Sequence, residues 1–197
     1  METGLVTNSS LITPKSGGFC EYLLVAHPDA TVYAQVTEEK QFFAAQYHEP
    51  AAIKAKPHIT IANFLAKEEM EATIIRWMHR IISNQKSFGV TLDQYCGFAQ
   101  HTIYLRVQDH EPFQRLAKEL KVIDQYVRSY GCPAMYMSNR PHLTIARRLP
   151  DIVYRQAIAE YEQKKISTSF EVKELVLLRR QHAFDICKQV NVFGLTP

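Results

Sequence analysis

The chain has 197 residues, 46% of them hydrophobic, and a formal net charge of +3 at pH 7. This length can bury the core of one large domain or of two small fused lobes. The small charge permits an anionic ligand but argues against extensive nucleic-acid coating, which usually needs clustered Lys and Arg. We see neither a signal sequence nor an apolar run near the ~20 residues of a membrane span, and we expect a cytoplasmic protein with no membrane association.

The first half of the chain predicts strands and helices in alternation. Residues 1–18 are rich in Ser, Asn and Gly, which indicates a flexible N-terminal arm. The Pro and Asp at 28–29 suit a helix start, and apolar residues then recur at helical spacing. The predicted elements are a strand over 21–26, a helix from Asp29 to Tyr47, a strand over 57–65, a helix that opens at 67–69, and a strand over 88–94.

The second half predicts the same order again, with an additional strand at the end. Gly97 marks a turn between the strand over 88–94 and the next strand. Gly131 stands where a helix should stop. The predicted elements are a strand over 102–107, one helix from Asp109 through Val127, a strand over 141–148, a helix from 150 to 164, and strand-like runs over 169–178 and 183–192 that can form a hairpin.

A short motif occurs once in each half, in the third element. The sequence Pro-His-aliphatic-Thr-Ile-Ala stands at residues 57–62 and again at 141–146. In a strand, alternate side chains share a face, so each copy presents a His and a Thr opposite its aliphatic residues. One copy would be an ordinary half-buried strand. Because packing alone gives no reason to repeat the Pro, His and Thr, the two copies indicate a duplicated structural unit and a paired polar site.

Two imidazoles and two hydroxyls suit the cleavage of a phosphodiester. Histidine can give or accept a proton near neutral pH, so one of His58 and His142 can act as base and the other as acid. The hydroxyls of Thr60 and Thr144 can donate to non-bridging phosphate oxygens. This chemistry needs no metal and no cofactor. A two-histidine metal site is the competing interpretation, but it needs a carboxylate or third imidazole, and neither motif strand carries one.

Other titratable and soft ligands lack a pattern of this kind. The four cysteines are scattered without metal-ligand spacing, and we interpret them as small, mostly buried hydrophobic residues. The remaining six histidines are interpreted as surface or loop residues, and they are His27, His48, His79, His101, His110 and His182.

With its two His-x-Thr-x motifs, the chain resembles the 2H phosphoesterase superfamily, in particular the 2′-5′ RNA ligase or RNA 2′,3′-cyclic phosphodiesterase group. The second copy, Pro-His-Leu-Thr-Ile-Ala-Arg, is similar to that group's His-x-Thr-Leu-x-Arg signature. The resemblance implies an α+β, bilobal, duplicated fold in which two mainly antiparallel sheets flank a central cleft, with helices outside. We expect one such domain over 19–197, with lobe one at about 19–96 and lobe two at about 97–197.

The resemblance also implies roles for individual residues. His58 and His142 would be the acid and base, with Thr60 and Thr144 holding the phosphate. Arg147 matches the basic residue that closes the second signature. Simple alternation from His142 instead places Arg148 on the catalytic face, unless a bulge re-aims Arg147, so both are candidates for substrate binding.

Further ligand contacts are suggested by the residues around the motifs. Asn63 stands in the first copy where relatives often carry an aromatic residue that stacks on a base. Tyr136 and Tyr104 can stack on a nucleobase or simply pack. Arg140, just before the second motif, can touch a phosphate or remain a solvated loop residue.

The implied activity is a metal-independent phosphodiesterase that opens 2′,3′-cyclic phosphates, or 2′-5′ phosphodiesters, of RNA ends or small nucleotides. The alternative is a non-catalytic nucleotide-binding or RNA-binding module with the same cleft. Two intact His-Thr pairs favour the enzyme, since a binding module has little need of two proton-transfer groups. We expect a monomer whose partner is an RNA end or a small cyclic nucleotide, with no obligate protein partner.

Overall fold

The computed structural model describes residues 18–99, 101–182 and 185–197. The predicted arm over 1–18 therefore lies outside the described residues, except for Gly18. The described residues form strands β1 (Phe19–Ala26), β2 (Ile59–Lys67), β3 (Phe88–Phe98), β4 (Thr102–Val107), β5 (Tyr136–Met137), β6 (His142–Ala146), β7 (Lys165–Val172), β8 (Glu174–Arg180) and β9 (Lys188–Gly194). The helices are α1 (Ala30–Gln46), α2 (Glu71–Ile82), α3 (Glu111–Glu119), α4 (Lys121–Ser129) and α5 (Asp151–Tyr161). The α+β class is confirmed.

Helix boundaries follow from local chemistry. Asp29 caps α1, and its side-chain oxygen accepts a hydrogen bond from the Val32 backbone N–H at 2.9 Å. Gly131 adopts a φ of 76° just after α4, a left-handed conformation that glycine adopts without steric cost. The single helix predicted from Asp109 is instead two helices, α3 and α4, which meet at Leu120. An apolar stripe that continues across such a junction looks like one helix in the sequence.

The strands form one continuous sheet in the order β7-β3-β4-β6-β2-β1-β8-β9, with β5 paired to β2. All pairings between these strands are antiparallel. The two motif strands, β2 and β6, are neighbours at the middle of the sheet and share one residue pair, Ile59 with Leu143. Two sheets were expected. The pair between β2 and β6 instead joins the edges of the two expected sheets into one continuous sheet.

Each half of this sheet contains strands from both halves of the chain. β1 and β2 pair with β8 and β9 from the C-terminus, whereas β4 and β6 lie with β3 and β7. The predicted boundary near residue 96 therefore does not separate two compact lobes. For β3 the cause is local, because its short connection to β4 keeps these two strands side by side as an antiparallel hairpin.

The C-terminal strands also differ in detail from the sequence prediction. The run over 169–178 is divided at Lys173 into β7 and β8, which pair with β3 and β1 on opposite halves of the sheet. The predicted hairpin between the last two runs is present, as β8 with β9. The loop expected before the second motif contains the short strand β5.

The core lies between the sheet and helices on its outer surface. Helices α2 and α3 pack on the half that holds β1 and β2, with α4 packed against them, and α1 and α5 pack on the half that holds β4 and β6. The largest fully buried side chains are aromatic or aliphatic and include Tyr22, Phe43, Phe64, Phe113 and Tyr161. Within the described ranges, no helix has both the length and the apolar character needed to cross a membrane.

Gly97 lies inside β3, not at a turn, opposite Ile103 of β4. The absence of a side chain here lets the side chains of α5 pack closely on β3. A Cβ at this position would overlap the Tyr154 hydroxyl and would lie 2.9 Å from Cδ1 of Ile158. Sequence alone cannot distinguish a glycine needed for a turn from one needed for close approach of a helix.

We therefore expect Gly97→Ala to lower the free energy of unfolding by about 1 to 3 kcal/mol, the usual cost of overpacking. The matched control is Gly89→Ala, in the same strand, where a Cβ would meet no atom within 4 Å. Urea unfolding of both variants measures the difference. Equal stabilities for the two variants would show that α5 does not need the close approach.

Candidate active site

The pairing of the two motif strands sets all four polar motif side chains on one face. Ile59 lies opposite Leu143, and both are fully buried toward the core. Antiparallel register then puts His58 across from Thr144 and Thr60 across from His142. Directly opposite side chains share a face of the sheet, and diagonal neighbours in a regular ladder are about 7–8 Å apart. The two imidazoles are such a diagonal pair, which is a suitable arrangement for two groups acting on one phosphorus.

A β-bulge follows the threonine of the first motif. Thr60 pairs with Val25 of β1, whereas Asn63 pairs with Leu23, so three steps along β2 correspond to two along β1. Since Val25 and Leu23 share a face, Thr60 and Asn63 share it too. The bulge therefore brings Asn63, the residue directly after the first motif, onto the polar face.

The second motif has a bulge at the same place. Thr144 pairs with Tyr104 of β4, and Ala146 pairs with Ile103. Ala146 and Ile103 are buried in the core, so the next residue, Arg147, projects from the polar face that Thr144 occupies. Simple alternation would have placed Arg147 on the wrong side. Both motif copies thus share an irregularity as well as a sequence.

The two arginines after the second motif are placed differently. Arg148 lies beyond the end of β6, is exposed, and adopts a φ of 58° in the left-handed region. Arg147 also follows the end of β6 and is exposed, but the groups around its guanidinium remove part of its hydration. This loss of hydration, followed by repulsion from Arg148 and Arg180, lowers the pKa of Arg147 from its usual value, and Glu21 opposes the change. Arg147 thus interacts electrostatically with strands β1 and β8 of the other half.

Both motif histidines are held by the same hydrogen bond. His58 Nδ1 lies 2.7 Å from the carbonyl oxygen of Lys56, and His142 Nδ1 lies 2.8 Å from that of Arg140. A carbonyl only accepts, so Nδ1 carries the proton in each ring and donates it. Nε2 of each ring remains for proton transfer, as an acceptor when the ring is neutral and as a donor when it is charged.

The surroundings of His58 disfavour its charged form. Burial lowers its pKa to about 4, and repulsion from His27, Arg147 and Lys40 acts in the same direction, against the bond to the Lys56 carbonyl. His27 is close, with its ring centroid 6.3 Å from that of His58 and its Nδ1 2.8 Å from the Pro57 carbonyl oxygen. At neutral pH the unliganded site therefore holds His58 as a neutral imidazole.

His142 has aromatic neighbours instead of cationic ones. Its ring centroid lies 5.0 Å from that of Phe98 and 5.0 Å from that of Tyr104. These two rings stack on each other at 4.2 Å. Burial lowers the pKa of His142, and no charged residue adds to that effect. Electron-rich rings at this distance favour a cation, so His142 accepts a proton more readily than His58 does.

A buried polar network lies beside the first motif. Asn63 Nδ2 donates to Glu21 Oε1 at 3.0 Å, and Arg180 Nε donates to the other Glu21 oxygen. Glu21 is only 2% exposed. The amide oxygen of Asn63 is buried, and it makes no hydrogen bond with any described residue. Asn63, at the position where relatives often carry an aromatic residue, is thus hydrogen-bonded to Glu21 and connected through it to Arg180.

The remaining predicted contacts lie at different distances from the histidines. Tyr136 of β5 pairs with Asn63, so its half-exposed ring is on the same face as the motif hydroxyls. Tyr104 is next to His142, as described above. The Arg140 side chain is exposed, and it is the Arg140 backbone carbonyl that contacts the motif, at the His142 ring.

Three residues near the histidines were not predicted from the sequence. His27 was interpreted as a surface histidine, and it lies against His58 instead. Phe98 was assigned to no element, because β3 was predicted to end before Gly97. Lys40 belongs to a helix and is separated from both motifs in the sequence, and no spacing rule connects it with them.

The described residues contain no group of three or more His, Cys, Asp or Glu side chains placed to hold a metal ion. All four cysteines are free thiols, and Cys20 and Cys132 are buried.

Comparison with known proteins agrees with the fold. Residues 28–183 match the family model of the 2′-5′ RNA ligase superfamily. Among solved structures, E. coli LigT complexed with 3′-AMP has a TM-score of 0.63 at 20% identity, covering 91% of this chain and 99% of LigT. A protein of Thermus thermophilus, TT0787, has a TM-score of 0.62 at 16% identity, covering 89% and 97%. A further structure described as a phosphoesterase has a TM-score of 0.60 at 18% identity, covering 90% and 99%. No curated protein sequence matches the chain.

The antiparallel α+β sheet with two central motif strands is thus the fold of LigT-like phosphoesterases. The chain belongs to the 2′-5′ RNA ligase superfamily, which the sequence resemblance had indicated. Membership supports an enzyme of the phosphoesterase type.

The lowered pKa of His58 has a consequence for stability. In the unfolded chain the ring binds a proton near pH 6.5, but in the folded protein only near pH 4. Between these values the unfolded chain binds more protons, so the free energy of unfolding falls as the pH is lowered from 6.5 to 4. Because the ring is partly exposed, we expect the His58 share to be about 1 to 2 kcal/mol.

Urea unfolding of the wild type and of His58→Asn at pH 7, 5.5 and 4.5 measures this share. The wild type should lose more stability than the variant across the series, while His142 and the other groups contribute equally to both. If the wild type and the variant lose the same free energy of unfolding across the pH series, His58 is not strongly dehydrated in the folded protein.

Proposed function

We propose that the protein is a metal-independent phosphodiesterase that opens 2′,3′-cyclic phosphates, or cleaves 2′-5′ phosphodiesters, of RNA ends or small nucleotides. The observation that supports this most strongly is the facing pair of motifs, each with an imidazole held through Nδ1 so that Nε2 is left for the substrate. LigT, whose fold this chain shares, binds 3′-AMP in its crystal structure. A nucleotide with a phosphate on its ribose is therefore a suitable ligand class to test.

In this mechanism the phosphate lies between the two histidines. The Thr60 and Thr144 hydroxyls and the Arg147 guanidinium donate to its non-bridging oxygens and stabilise negative charge as it develops. One histidine removes the proton of the attacking oxygen. The other protonates the leaving oxygen as the bond from phosphorus breaks. The exposed ring of Tyr136 can stack on a nucleobase held beside Asn63.

The different surroundings of the two imidazoles favour a division of labour. For cleavage of a 2′-5′ phosphodiester we assign His58, which is neutral among cationic neighbours, as the base. His142, flanked by Phe98 and Tyr104, is the acid. When the cyclic product is opened by water the reaction runs in the opposite chemical sense, and the two residues exchange roles.

A non-catalytic nucleotide-binding or RNA-binding module is the second candidate. The half-exposed Tyr136, paired with the Asn63 that donates to buried Glu21, is compatible with binding alone. Such a module would not require both rings to be anchored in the same way with Nε2 left for the ligand. Turnover measurements decide between the two candidates.

We expect His58→Ala and His142→Ala each to lower turnover of a 2′,3′-cyclic nucleotide in EDTA by about 10²- to 10⁴-fold, the usual contribution of a general acid or base. Circular dichroism and binding of 3′-AMP serve as controls for folding and for an intact cleft. Full activity in either variant would remove that histidine from the mechanism. Loss of wild-type activity in EDTA with rescue by a divalent ion would favour the metal site instead, and binding without turnover would favour the binding module.

The pH dependence of kcat/KM for a 2′-5′-linked dinucleotide should be bell-shaped, with its maximum on the acidic side of neutrality. One limb should lie near pH 4, where His58 becomes neutral, and the other below about 6.5, where His142 loses its proton in the free enzyme. A rate independent of pH between 4.5 and 8 would contradict one neutral and one charged imidazole.

The two neighbouring arginines provide a matched pair of variants. Arg147→Ala should raise KM for a cyclic nucleotide and weaken binding of inorganic phosphate by about 10-fold or more, since a charge-assisted hydrogen bond is lost. Arg148→Ala should change neither by more than about twofold, because Arg148 follows Arg147 in a left-handed backbone conformation that turns the chain away from the polar face. The reverse result would show that the second bulge does not direct Arg147 to the phosphate.

A further inference from the structure

Lys40 is an unusual residue on helix α1. It is 4% exposed and is one of three buried polar or charged side chains among the described residues, with Glu21 and Ser138. Glu21 is ion-paired with Arg180. No carboxylate among the described residues lies within ion-pair distance of the Lys40 ammonium, although burial of an unpaired charge is costly. A residue of this kind needs an explanation other than packing.

The position of Lys40 relates it to both motifs. Its Nζ lies 3.4 Å from the carbonyl oxygen of Thr144, and α1 packs against β6. The Lys40 side chain also lines a cavity of about 230 Å³ together with Lys56 and Pro57. These two residues supply the carbonyl groups that hold His58 and His27. The ammonium therefore lies between the backbone of the second motif and the segment that orients the first imidazole.

The charged and titratable groups around Lys40 are cationic or neutral. His58 and Arg147 interact with it electrostatically. Lys56 of the loop before β2 and the Tyr33 phenol of α1 line the same cavity. Next to it in the chain, Glu39 is engaged by Tyr161 and Lys164 on the α5 side. Burial, and then Arg147, lower the pKa of Lys40 to about 8, so the residue is still mostly charged at neutral pH.

A fixed positive charge at this place disfavours a second positive charge on the nearby imidazole. The other cations around His58 are less constant, since His27 is itself titratable and Arg147 is a predicted ligand of the phosphate. Once a phosphate has bound, Arg147 is neutralised by it. Lys40 is buried behind β6 and almost entirely out of contact with solvent, so it keeps its charge and continues to disfavour a positive charge on His58.

We propose that Lys40 is a positioning residue that disfavours protonation of the His58 imidazole and thereby extends to lower pH the range in which this ring can act as the general base for cleavage of a 2′-5′ phosphodiester. This role rests on the two-histidine function proposed above. Lys40 acts through His58 and through the backbone of Thr144, and it takes no part in proton transfer itself.

The test is the titration of His58, followed by the NMR signals of its imidazole C–H protons and assigned with His58→Asn. In Lys40→Met the pKa of His58 should rise by about 0.5 to 1, as expected for removal of a unit charge at this range. The low-pH limb of kcat/KM should move upward by the same amount. Lys40→Arg keeps the charge and should leave the titration near that of the wild type.

Lys54→Met is the matched control, since Lys54 is an exposed lysine in the adjoining loop, and it should not change the His58 titration. Lys40→Gln replaces Lys40→Met if the latter does not fold. If His58 in the folded variant titrates as it does in the wild type, the proposal is overturned, even if the wild-type enzyme turns over its substrate. The titration needs no substrate, so a shifted His58 titration in the variant supports the charge coupling whether or not turnover is found. Absence of turnover in the wild type would count only against the proposed function.

Discussion

The antiparallel contact of the two motif strands is the constraint on which the rest of the structure depends. Ile59 and Leu143 are the only directly paired residues of β2 and β6 within the described chain, and both are buried. Because side chains alternate across a sheet, this one register sends two imidazoles and two hydroxyls to the opposite face. The bulge after each threonine then adds one more residue per copy to that face, Asn63 and Arg147.

The two copies have nearly the same sequence but unequal surroundings. Each histidine is anchored through Nδ1 to the carbonyl two residues before it, so duplication has preserved the geometry of proton transfer. What differs is the set of neighbours. Lys40 of α1, His27 just after β1 and Arg147 just after β6 act on the first ring, and aromatic rings from β3 and β4 lie near the second. A symmetric pair thereby becomes a base and an acid, which is what a displacement at phosphorus requires.

Local patterns were sufficient to predict the motif strands, the Asp29 cap, the Gly131 stop and the common face of the histidines and threonines. Features that depend on contacts between distant segments were not predictable. The choice between Arg147 and Arg148 depends on a bulge that is visible only in the pairing with β4. The division of 169–178 and the exchange of strands between halves depend on which edge each strand reaches. Lys40 and His27 reach the site through helix packing and loop geometry, for which the sequence has no periodic signal.

The opposite proton roles of the two histidines can be measured most directly with a 2′-5′-linked dinucleotide whose 5′ bridging oxygen is replaced by sulfur. A thiolate leaves without protonation, so the general acid becomes dispensable. We expect this substrate to restore cleavage by His142→Ala to within about 10-fold of the wild-type rate, and to leave His58→Ala inactive. Restoration of His58→Ala alone would reverse the assignment, and restoration of neither or of both variants would contradict a division into one acid and one base.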